Sequence, residues 1–223
     1  MKGVCFDFNG VIVDDERHHC TSLLAVLEEW GLVVDPATYY RDYLGYDDRG
    51  CFVHAWRAAN RTLDTRVLDR LIAAKNARYH QLITADLTLV PGVQDFVRAL
   101  HAEGTRLVVV SAARRDEITH VLEVAKLTAY FDGIVAAEDV SRTKPDPEGY
   151  RKGLGVIGLP ASHCLVIEDS LPGLRAGRAA GMRVAMLTTS HPATELHSEA
   201  PDALWADFAG HHPGELPWHS TSN

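Results

Sequence analysis

Short apolar runs alternate with helical patterns along most of the chain. Between the runs, apolar residues recur at positions i, i+3, i+4 and i+7, a spacing typical of amphipathic helices. Strands separated by helix-length segments predict a parallel sheet covered by helices. We therefore expect an α/β fold with a doubly wound, Rossmann-like core, whose strands correspond to the apolar runs at 3–8, 106–110, 133–136, 164–167 and 183–187.

The first predicted strand is followed by an unusually long interval. About eighty residues precede the next strand, far more than a simple crossover needs. Apolar residues within this interval keep a helical spacing, first from Leu23 to Trp30 and again from Leu68 to Ile72. We therefore predict a helical cap domain at 16–88, inserted into a core domain formed by 1–15 and 89–223.

The tail that begins at His191 carries a weaker pattern. Several histidines and prolines interrupt it, and one short apolar stretch, Ala203 to Trp205, predicts a weak strand. Chain ends without a sustained apolar pattern are commonly poorly ordered. The rest of the tail is therefore expected to fray.

Composition limits the partners and the compartment. The net charge is −8, from 22 Lys and Arg against 30 Asp and Glu, which argues against a nucleic-acid partner. Four cysteines without a C-x-x-C pair indicate free thiols in a reducing compartment. No apolar run approaches a membrane span, and the first residues predict a strand rather than a signal peptide. We expect a cytoplasmic protein with no nucleic-acid or membrane partner, and the oligomeric state stays open.

Polar residues suited to phosphoryl transfer follow three of the predicted strands. They are Asp7, Ser111 and the pair Glu168-Asp169, and a loop adds Lys144-Pro145-Asp146-Pro147. Because the carboxyl ends of parallel strands share one crevice, a carboxylate nucleophile, a hydroxyl, a lysine and an acidic pair would meet there. Each residue alone also has a structural explanation, such as a turn hydroxyl or a helix N-terminal carboxylate. Four such segments in order favour the functional interpretation.

These segments resemble the motifs of the haloacid dehalogenase-like hydrolases. The opening Asp7-Phe8-Asn9-Gly10-Val11-Ile12-Val13-Asp14-Asp15-Glu16-Arg17-His18-His19 is similar to the pattern D-x-D-G-V-x-x-D-T-E-x-x-H. That pattern marks the branch with an inserted helical cap, which includes β-phosphoglucomutase and phosphoglycolate phosphatase. The resemblance covers about residues 2–188, and its later motifs match Ser111, Lys144-Pro145-Asp146-Pro147 and Glu168-Asp169-Ser170 with Gly173.

The resemblance implies a Mg²⁺-dependent hydrolase or phosphotransferase that acts on a small phosphorylated metabolite. It implies that Asp7 is the nucleophile and forms an aspartyl-phosphate, while Lys144 neutralises charge between Asp7 and the phosphoryl group. It also implies a magnesium site whose ligands come from Asp7, the backbone carbonyl of Asn9, Glu168 and Asp169. Mg²⁺ prefers hard oxygen ligands of this kind.

The resemblance also implies residues that contact the substrate. Ser111 and Ala112 of the second motif would bind the phosphate, and His19 lies at the hinge of the cap. Arg49 ends the segment Gly45-Tyr46-Asp47-Asp48-Arg49, where related caps carry their specificity loop, and could bind a second anionic group. A solvated arginine at a helix start is the alternative for Arg49.

Asn9 departs from the family pattern. Family phosphatases carry an aspartate there, which protonates the leaving group, and an amide cannot transfer a proton. General acid/base catalysis contributes typically ~10²–10⁴-fold to rate. Three explanations stay open: a leaving group that needs no acid, as in an acyl phosphate or an anhydride; a cap residue that supplies the proton; or an Asn9 that is introduced or deamidated.

Two other functions stay open beside the phosphatase. One is hydrolysis of a carbon–phosphorus bond, for which Lys75 would form a Schiff base, although its Ala-Ala-Lys-Asn-Ala surroundings predict an ordinary helix face. The other is a catalytically weakened phosphate-binding or regulatory protein. Magnesium-dependent release of phosphate from acetyl phosphate would separate an enzyme from a binding protein.

Overall fold

The computed structural model describes residues 1–43 and 46–218. Six parallel strands form one sheet in the order β3-β2-β1-β4-β5-β6, and β1 lies between β2 and β4. This parallel sheet, with helices packed against it, confirms the predicted α/β fold class. The strands are β1 Gly3–Phe6, β2 Arg106–Val110, β3 Gly133–Val135, β4 Cys164–Glu168, β5 Arg183–Leu187 and β6 Ala203–Trp205.

Nine α-helices are present in the described residues. Five lie between β1 and β2, and the other four alternate with the later strands, as a doubly wound topology requires. They are α1 Glu16–Glu29, α2 Pro36–Asp42, α3 Asp48–Ala58, α4 Thr65–Ala85, α5 Val93–Ala102, α6 Arg115–Val124, α7 Glu148–Ile157, α8 Leu171–Ala179 and α9 Ala193–Ser198.

The chain divides into two compact units. The sheet unit comprises residues 1–14 and 89–223, and the helical unit comprises residues 15–88. In the helical unit, α1 to α4 bury one apolar cluster built from residues such as Leu23, Leu27, Phe52 and Leu71. Aspartate side chains cap α2, α3 and α4 at their N-termini, by accepting hydrogen bonds from the first-turn amides.

Strand β1 ends two residues earlier than its apolar run. The carbonyl oxygen of Phe8 accepts hydrogen bonds from the amides of Val11, Ile12 and Val13, so the chain turns sharply after Asp7. The side chain of Phe8 is still fully buried, which explains why the apolar pattern continues past the strand. Asp7 consequently lies at the point where the chain leaves the sheet.

The expectation that the tail frays is wrong up to residue 218. The predicted strand at Ala203–Trp205 forms as β6, and the segment beyond it folds back onto the sheet unit. The ring of Phe208 is buried, with its centroid 4.9 Å from that of Phe96 and 6.2 Å from that of Phe6. Isolated aromatic residues of this kind order the segment without giving it a periodic pattern.

Two expectations from composition can be compared with the structure. All four cysteines are buried and are present as free thiols, as predicted. Burial raises the pKa of Cys20 and Cys164 to about 11, so these thiols stay neutral. Among the described residues, every helix is too short or too polar to cross a membrane.

Candidate active site

The residues predicted from strand ends come together at the carboxyl edge of the sheet. Asp7 follows β1, Ser111 follows β2, and Glu168 is the last residue of β4. Because β2, β1 and β4 are adjacent in the sheet, their carboxyl ends are neighbours. One oxygen each from Asp7, Glu168 and Asp169 can be chosen so that all three lie within 4.8 Å of one another.

Lys144 joins two of these carboxylates. Its Nζ atom lies 2.7 Å from Oδ1 of Asp7 and 2.6 Å from Oε1 of Glu168. The loop that precedes α7 carries this lysine to the strand ends. Burial by itself would lower the pKa of Lys144, but the charges of Asp7 and Glu168 together outweigh it and raise the pKa.

Glu168 is fully buried and holds a complete set of hydrogen bonds. Its Oε1 accepts from Lys144 and from the hydroxyl of Tyr150 at 2.8 Å. Its Oε2 accepts from the amides of Asp169 and Ser170, both at 3.0 Å, and from Oγ of Ser170 at 2.9 Å. Burial alone would raise the pKa of Glu168, but Lys144 and these donors lower it instead. Both of its oxygens are therefore engaged in fixing the site.

The other two carboxylates lie in surroundings that disfavour their charge. Burial, followed by the charge of Glu168, raises the pKa of Asp7 to about 7, although Lys144 acts against this. Burial, Glu168 and Asp7 raise the pKa of Asp169 well above its usual range. Three buried carboxylates are thus accompanied by one lysine, and the cluster has more negative than positive charge.

The cluster fits a divalent metal ion. Carboxylate oxygens are the ligands that Mg²⁺ prefers, and a divalent cation would supply the missing positive charge. Asp7 and Asp169 are the best placed to bind it, because the hydrogen bonds of Glu168 are already complete. The oxygen ligands and the excess negative charge of the cluster therefore agree with the predicted site for a divalent cation.

The turn that contains Asn9 lies against Asp169. Gly10 adopts a φ of +69°, and a Cβ atom at this position would overlap the carboxylate of Asp169. Asn9 is half-buried and forms a bridge with Val13. The structure therefore places the backbone of the first motif beside the acidic cluster.

Two residues of the loop after β5 hold this arrangement, and sequence reasoning missed both. Oγ1 of Thr189 donates a hydrogen bond to the carbonyl of Gly10 at 2.6 Å, and Oγ of Ser190 donates to Oδ2 of Asp169. Their only signal in the sequence is a run of three hydroxyl residues, 188–190, after a predicted strand. Tyr150, the hydroxyl partner of Glu168, was also missed because its helical position predicts a core residue.

The second motif has the geometry of a turn at the end of a strand. Oγ of Ser111 accepts a hydrogen bond from the amide of Ala113 at 3.0 Å, and Ser111 itself is buried. Ser111, Ala112 and Lys144 line one small cavity of about 20 Å³. The structure thus brings both predicted phosphate-binding residues next to Lys144.

In the helical unit, His19 belongs to a buried polar network. Its Nδ1 atom lies 2.6 Å from Nζ of Lys75, and its Nε2 atom lies 3.3 Å from Oδ2 of Asp15. Nζ of Lys75 also lies 2.8 Å from Oδ1 of Asp48, and the hydroxyl of Tyr79 donates to Asp15. Lys75 is only 2% exposed, so the expectation of an ordinary helix face is wrong.

Arg49 lies at the start of α3 with 56% of its side chain exposed. Its guanidinium is 3.6 Å from the carboxylate of Asp69, a weak surface pair. Part of the predicted specificity segment, Gly45, lies outside the described residues. Arg49 is thus accessible to an anionic group, which could replace its weak surface pair with Asp69.

Comparison with known proteins identifies the family. A family model described as haloacid dehalogenase-like hydrolase matches residues 4–187. This range includes all four motifs, from Asp7 to Asp169. The chain belongs to the haloacid dehalogenase-like hydrolases. This membership confirms the predicted family and makes the protein a hydrolase.

Several relatives of this hydrolase support the same branch of the family. An uncharacterized protein of Haemophilus influenzae is 30% identical over 82% of this chain and 89% of its own length. A phosphoglycolate phosphatase of Aquifex aeolicus is 24% identical over 91% of both chains. The crystal structure of a β-phosphoglucomutase from Clostridium difficile superposes with a TM-score of 0.77 at 20% identity, over 92% of this chain and 90% of that one. The last likeness shows a shared fold.

We predict that the metal-free hydrolase loses stability as pH rises from about 4 to about 7. Asp7 ordinarily titrates near 3.8 and is raised to about 7 in the folded state, so the folded protein retains a proton that the unfolded chain has released. Stability therefore falls with rising pH across this window, by about 1.4 kcal/mol per unit of pKa shift. Urea unfolding in chelator at several pH values measures the effect.

Asp7→Asn is the matched control, because an amide does not titrate. The stability of the unsubstituted protein should fall relative to that of Asp7→Asn as pH rises, and added Mg²⁺ should remove the difference. An identical pH dependence of both proteins in chelator would show that Asp7 is not perturbed in this way.

A second prediction concerns Ser190, which orients the carboxylate of Asp169. Residues that hydrogen-bond to metal ligands typically affect metal affinity by about 10–100-fold. Ser190→Ala should therefore weaken Mn²⁺ binding, measured by titration with electron paramagnetic resonance, by about tenfold, and Ser190→Thr should retain it. Ser198→Ala, which removes an exposed serine hydroxyl elsewhere in the same unit, is the control. Unchanged affinity in Ser190→Ala would contradict the role.

Proposed function

We propose that this hydrolase is a Mg²⁺-dependent phosphatase that acts on a small phosphorylated metabolite through an aspartyl-phosphate on Asp7. The observation that supports this most is the position of Lys144 between Asp7 and Glu168, two members of the cluster that Asp169 completes. A nucleophile, a fixed cation and an acidic metal site are the parts that phosphoryl transfer requires. The phosphoglycolate phosphatase among its relatives is named for this class of reaction.

In the proposed reaction, a carboxylate oxygen of Asp7 attacks the phosphorus atom of the substrate. The bond between phosphorus and the leaving oxygen breaks, and that oxygen departs with its electron pair. Water then attacks the phosphorus of the aspartyl-phosphate, and the bond to Asp7 breaks with its electron pair returning to the carboxylate. Inorganic phosphate is released and carries the protons of that water. Lys144 and the hydroxyl of Ser111 stabilise the negative charge on the transferred group.

The metal site has a limited role in this scheme. Mg²⁺ bound there would neutralise the buried carboxylates and the phosphate oxygens, which favours the ionised, nucleophilic form of Asp7. We assign its ligands to Asp7, Asp169 and the backbone carbonyl of Asn9. Glu168 takes part mainly by holding Lys144 and the start of α8, because its oxygens already accept hydrogen bonds from both.

Asn9 leads us to propose substrates with good leaving groups. An amide next to the nucleophile cannot protonate a departing alkoxide, and the lost catalysis is worth typically ~10²–10⁴-fold. Acyl phosphates and phosphoanhydrides release weakly basic groups that need no acid. We therefore infer that the natural substrate belongs to one of these two classes.

The helical unit supplies the proposed specificity residues. We assign substrate contact to His19 and Arg49, since His19 belongs to an ordered polar network and Arg49 is exposed. Lys75 makes close contacts with His19 and Asp48, which supports a positioning role for it rather than a Schiff base. The buried free thiols support a reducing compartment such as the cytoplasm.

The proposal is tested by phosphate release from acetyl phosphate. With Mg²⁺, the unsubstituted protein should release phosphate, and Asp7→Asn should abolish release because an amide cannot form the covalent intermediate. Asp95→Asn is the matched control, because Asp95 is an exposed aspartate in the first turn of α5, and this variant should keep full activity. Circular dichroism checks that both variants are folded.

Other outcomes point to the alternatives. Absence of phosphate release under all metal conditions would indicate a phosphate-binding protein of the same fold. Equal release after exhaustive chelation would exclude the proposed metal dependence. Release of phosphate from a phosphonate that carries a carbonyl group, with which Lys75 can form a Schiff base, would indicate carbon–phosphorus bond hydrolysis if that release is lost in Lys75→Ala.

The strongest prediction for this site concerns the leaving group. Rates should depend steeply on leaving-group pKa, with acetyl phosphate fast and an alkyl phosphate slow. Asn9→Asp should restore a proton donor, flatten this dependence and raise alkyl phosphate hydrolysis by about 10²–10⁴-fold. Steady-state kinetics on a series of aryl and alkyl phosphates measures both effects.

Two controls accompany this measurement. Peptide mass analysis must show that residue 9 is Asn, because deamidation at Asn9-Gly10 would produce Asp. Fast alkyl phosphate hydrolysis by verified Asn9 protein, with no gain in Asn9→Asp, would contradict the leaving-group proposal. The first residue to substitute in that case is His19, through His19→Asn.

A further inference from the structure

One buried tyrosine contacts the ion pairs of the candidate active site. Tyr150 lies in α7, its side chain belongs to the apolar cluster under the sheet, and it is only 1% exposed. It also lines the small cavity that Ser111 and Lys144 border. A phenylalanine at this position would bury the same ring without a polar atom. The buried hydroxyl therefore needs a physical explanation, because burying a polar group costs free energy unless it forms a hydrogen bond.

The hydroxyl of Tyr150 is directed at the carboxylate that holds Lys144. It donates a hydrogen bond of 2.8 Å to Oε1 of Glu168, and Nζ of Lys144 donates to the same oxygen at 2.6 Å. The other oxygen, Oε2, accepts from the amides of Asp169 and Ser170. The hydroxyl therefore helps to fix the direction in which Oε1 faces the ammonium group.

The ring of Tyr150 contacts Lys144 directly. Nζ of Lys144 lies 5.1 Å from the ring centre, within the distance of a cation–π interaction. Such an interaction is strongest where the cation is shielded from water, and the side chain of Lys144 is only 16% exposed. Tyr150 thus holds the ammonium group in two ways, directly through its ring and indirectly through Glu168.

The position of Lys144 matters because an ammonium group has three N–H donors. Contacts with Oδ1 of Asp7 at 2.7 Å and with Oε1 of Glu168 involve two of them. Two carboxylates and a ring restrict the direction of the third donor. Donors that are fixed before the reaction stabilise developing charge without having to reorganise. A residue that fixes Lys144 therefore assists any transfer of charge to Asp7.

We propose that Tyr150 is a positioning residue for Lys144. Its hydroxyl orients Oε1 of Glu168, its ring holds the ammonium group, and both direct Lys144 towards the phosphoryl group that is transferred to Asp7. Tyr150 acts through Lys144 and forms no bond to the reacting atoms. The catalytic part of this inference rests on the proposed function, whereas the effect of Tyr150 on the position of Lys144 does not.

NMR spectra of the Lys144 ammonium group test its position. The chain has five lysines, so ¹⁵N-labelled lysine gives at most five signals, and Lys→Arg substitutions at the other four positions assign the Lys144 signal. This signal should be protected from exchange with water and displaced by the ring current of Tyr150. Tyr150→Phe should keep the displacement and speed up exchange by about tenfold, because one hydrogen bond to a charged group is lost. Tyr150→Leu should lose the displacement as well.

Two variants control for an effect of packing alone. Tyr130→Phe removes a tyrosine hydroxyl elsewhere in the sheet unit, and Ile157→Val reduces a buried side chain in the same helix as Tyr150. Neither should change the Lys144 signal. If Tyr150→Leu fails to fold, as judged by circular dichroism, the nearly isosteric Tyr150→Phe decides. An unchanged Lys144 signal in the folded Tyr150 variants would overturn the proposal.

Phosphate release from acetyl phosphate tests the catalytic part. In Tyr150→Phe, kcat should fall about tenfold and KM should stay within about twofold, because Lys144 stabilises charge that develops during the transfer. Unchanged kcat in a variant whose Lys144 signal has changed would overturn the positioning role. Absence of release by the unsubstituted protein would overturn the proposed function instead, and the Lys144 signal would still decide whether Tyr150 holds this lysine.

Discussion

The ion pairs of Lys144 are the interaction on which the candidate active site depends. One ammonium group contacts the carboxylates of Asp7 and Glu168 at hydrogen-bonding distance, at the buried ends of two adjacent strands. Removing it would leave three buried carboxylates without a compensating charge, and unpaired buried charges are strongly destabilising. Lys144 therefore compensates part of the negative charge of the site, and a further cation would compensate the rest.

Close packing around the carboxylates imposes a second constraint. Glycines occupy two places where the backbone passes so close to a carboxylate that a Cβ atom would overlap it, Gly10 beside Asp169 and Gly173 beside Glu168. At Gly10 the backbone also has a positive φ, which other residues adopt only with strain. These contacts bring backbone amides and carbonyls close to the acidic cluster, where a phosphate or a metal ion would bind. The glycines of the motifs thus serve the geometry of the site rather than the flexibility of the chain.

Asn9 changes the chemistry of the site without changing its framework. The turn, its glycine and the hydroxyl of Thr189 that binds the Gly10 carbonyl are all present. Substitution of a carboxylate by an amide at residue 9 removes a negative charge and a proton donor together. The residues proposed for phosphoryl transfer are thus present, whereas residue 9 cannot protonate the leaving group. The leaving-group proposal follows from this difference.

The sequence by itself determined the parallel α/β core, because apolar runs and helical periodicity depend on local burial patterns. It also predicted that Asp7, Ser111 and Glu168-Asp169 would lie at one edge of the sheet, because the carboxyl ends of parallel strands share an edge. That they are neighbours depends on the strand order, in which β1 lies between β2 and β4. The inserted helices and their apolar faces were predictable for the same reason. The known motifs then indicated the family and the expected chemistry.

Only the tertiary structure decided the contacts between segments that have no periodic relation in the sequence. Ser190 reaches Asp169 across 21 residues, Lys75 reaches His19 across 56, and the tail returns to place Trp218 beside the amino ends of β4 and β5. A lysine at helical spacing looks solvated until the helices pack and bury it. Such contacts depend on how helices and strands pack against one another. A local sequence pattern does not determine this packing, so it cannot predict which distant residues will touch.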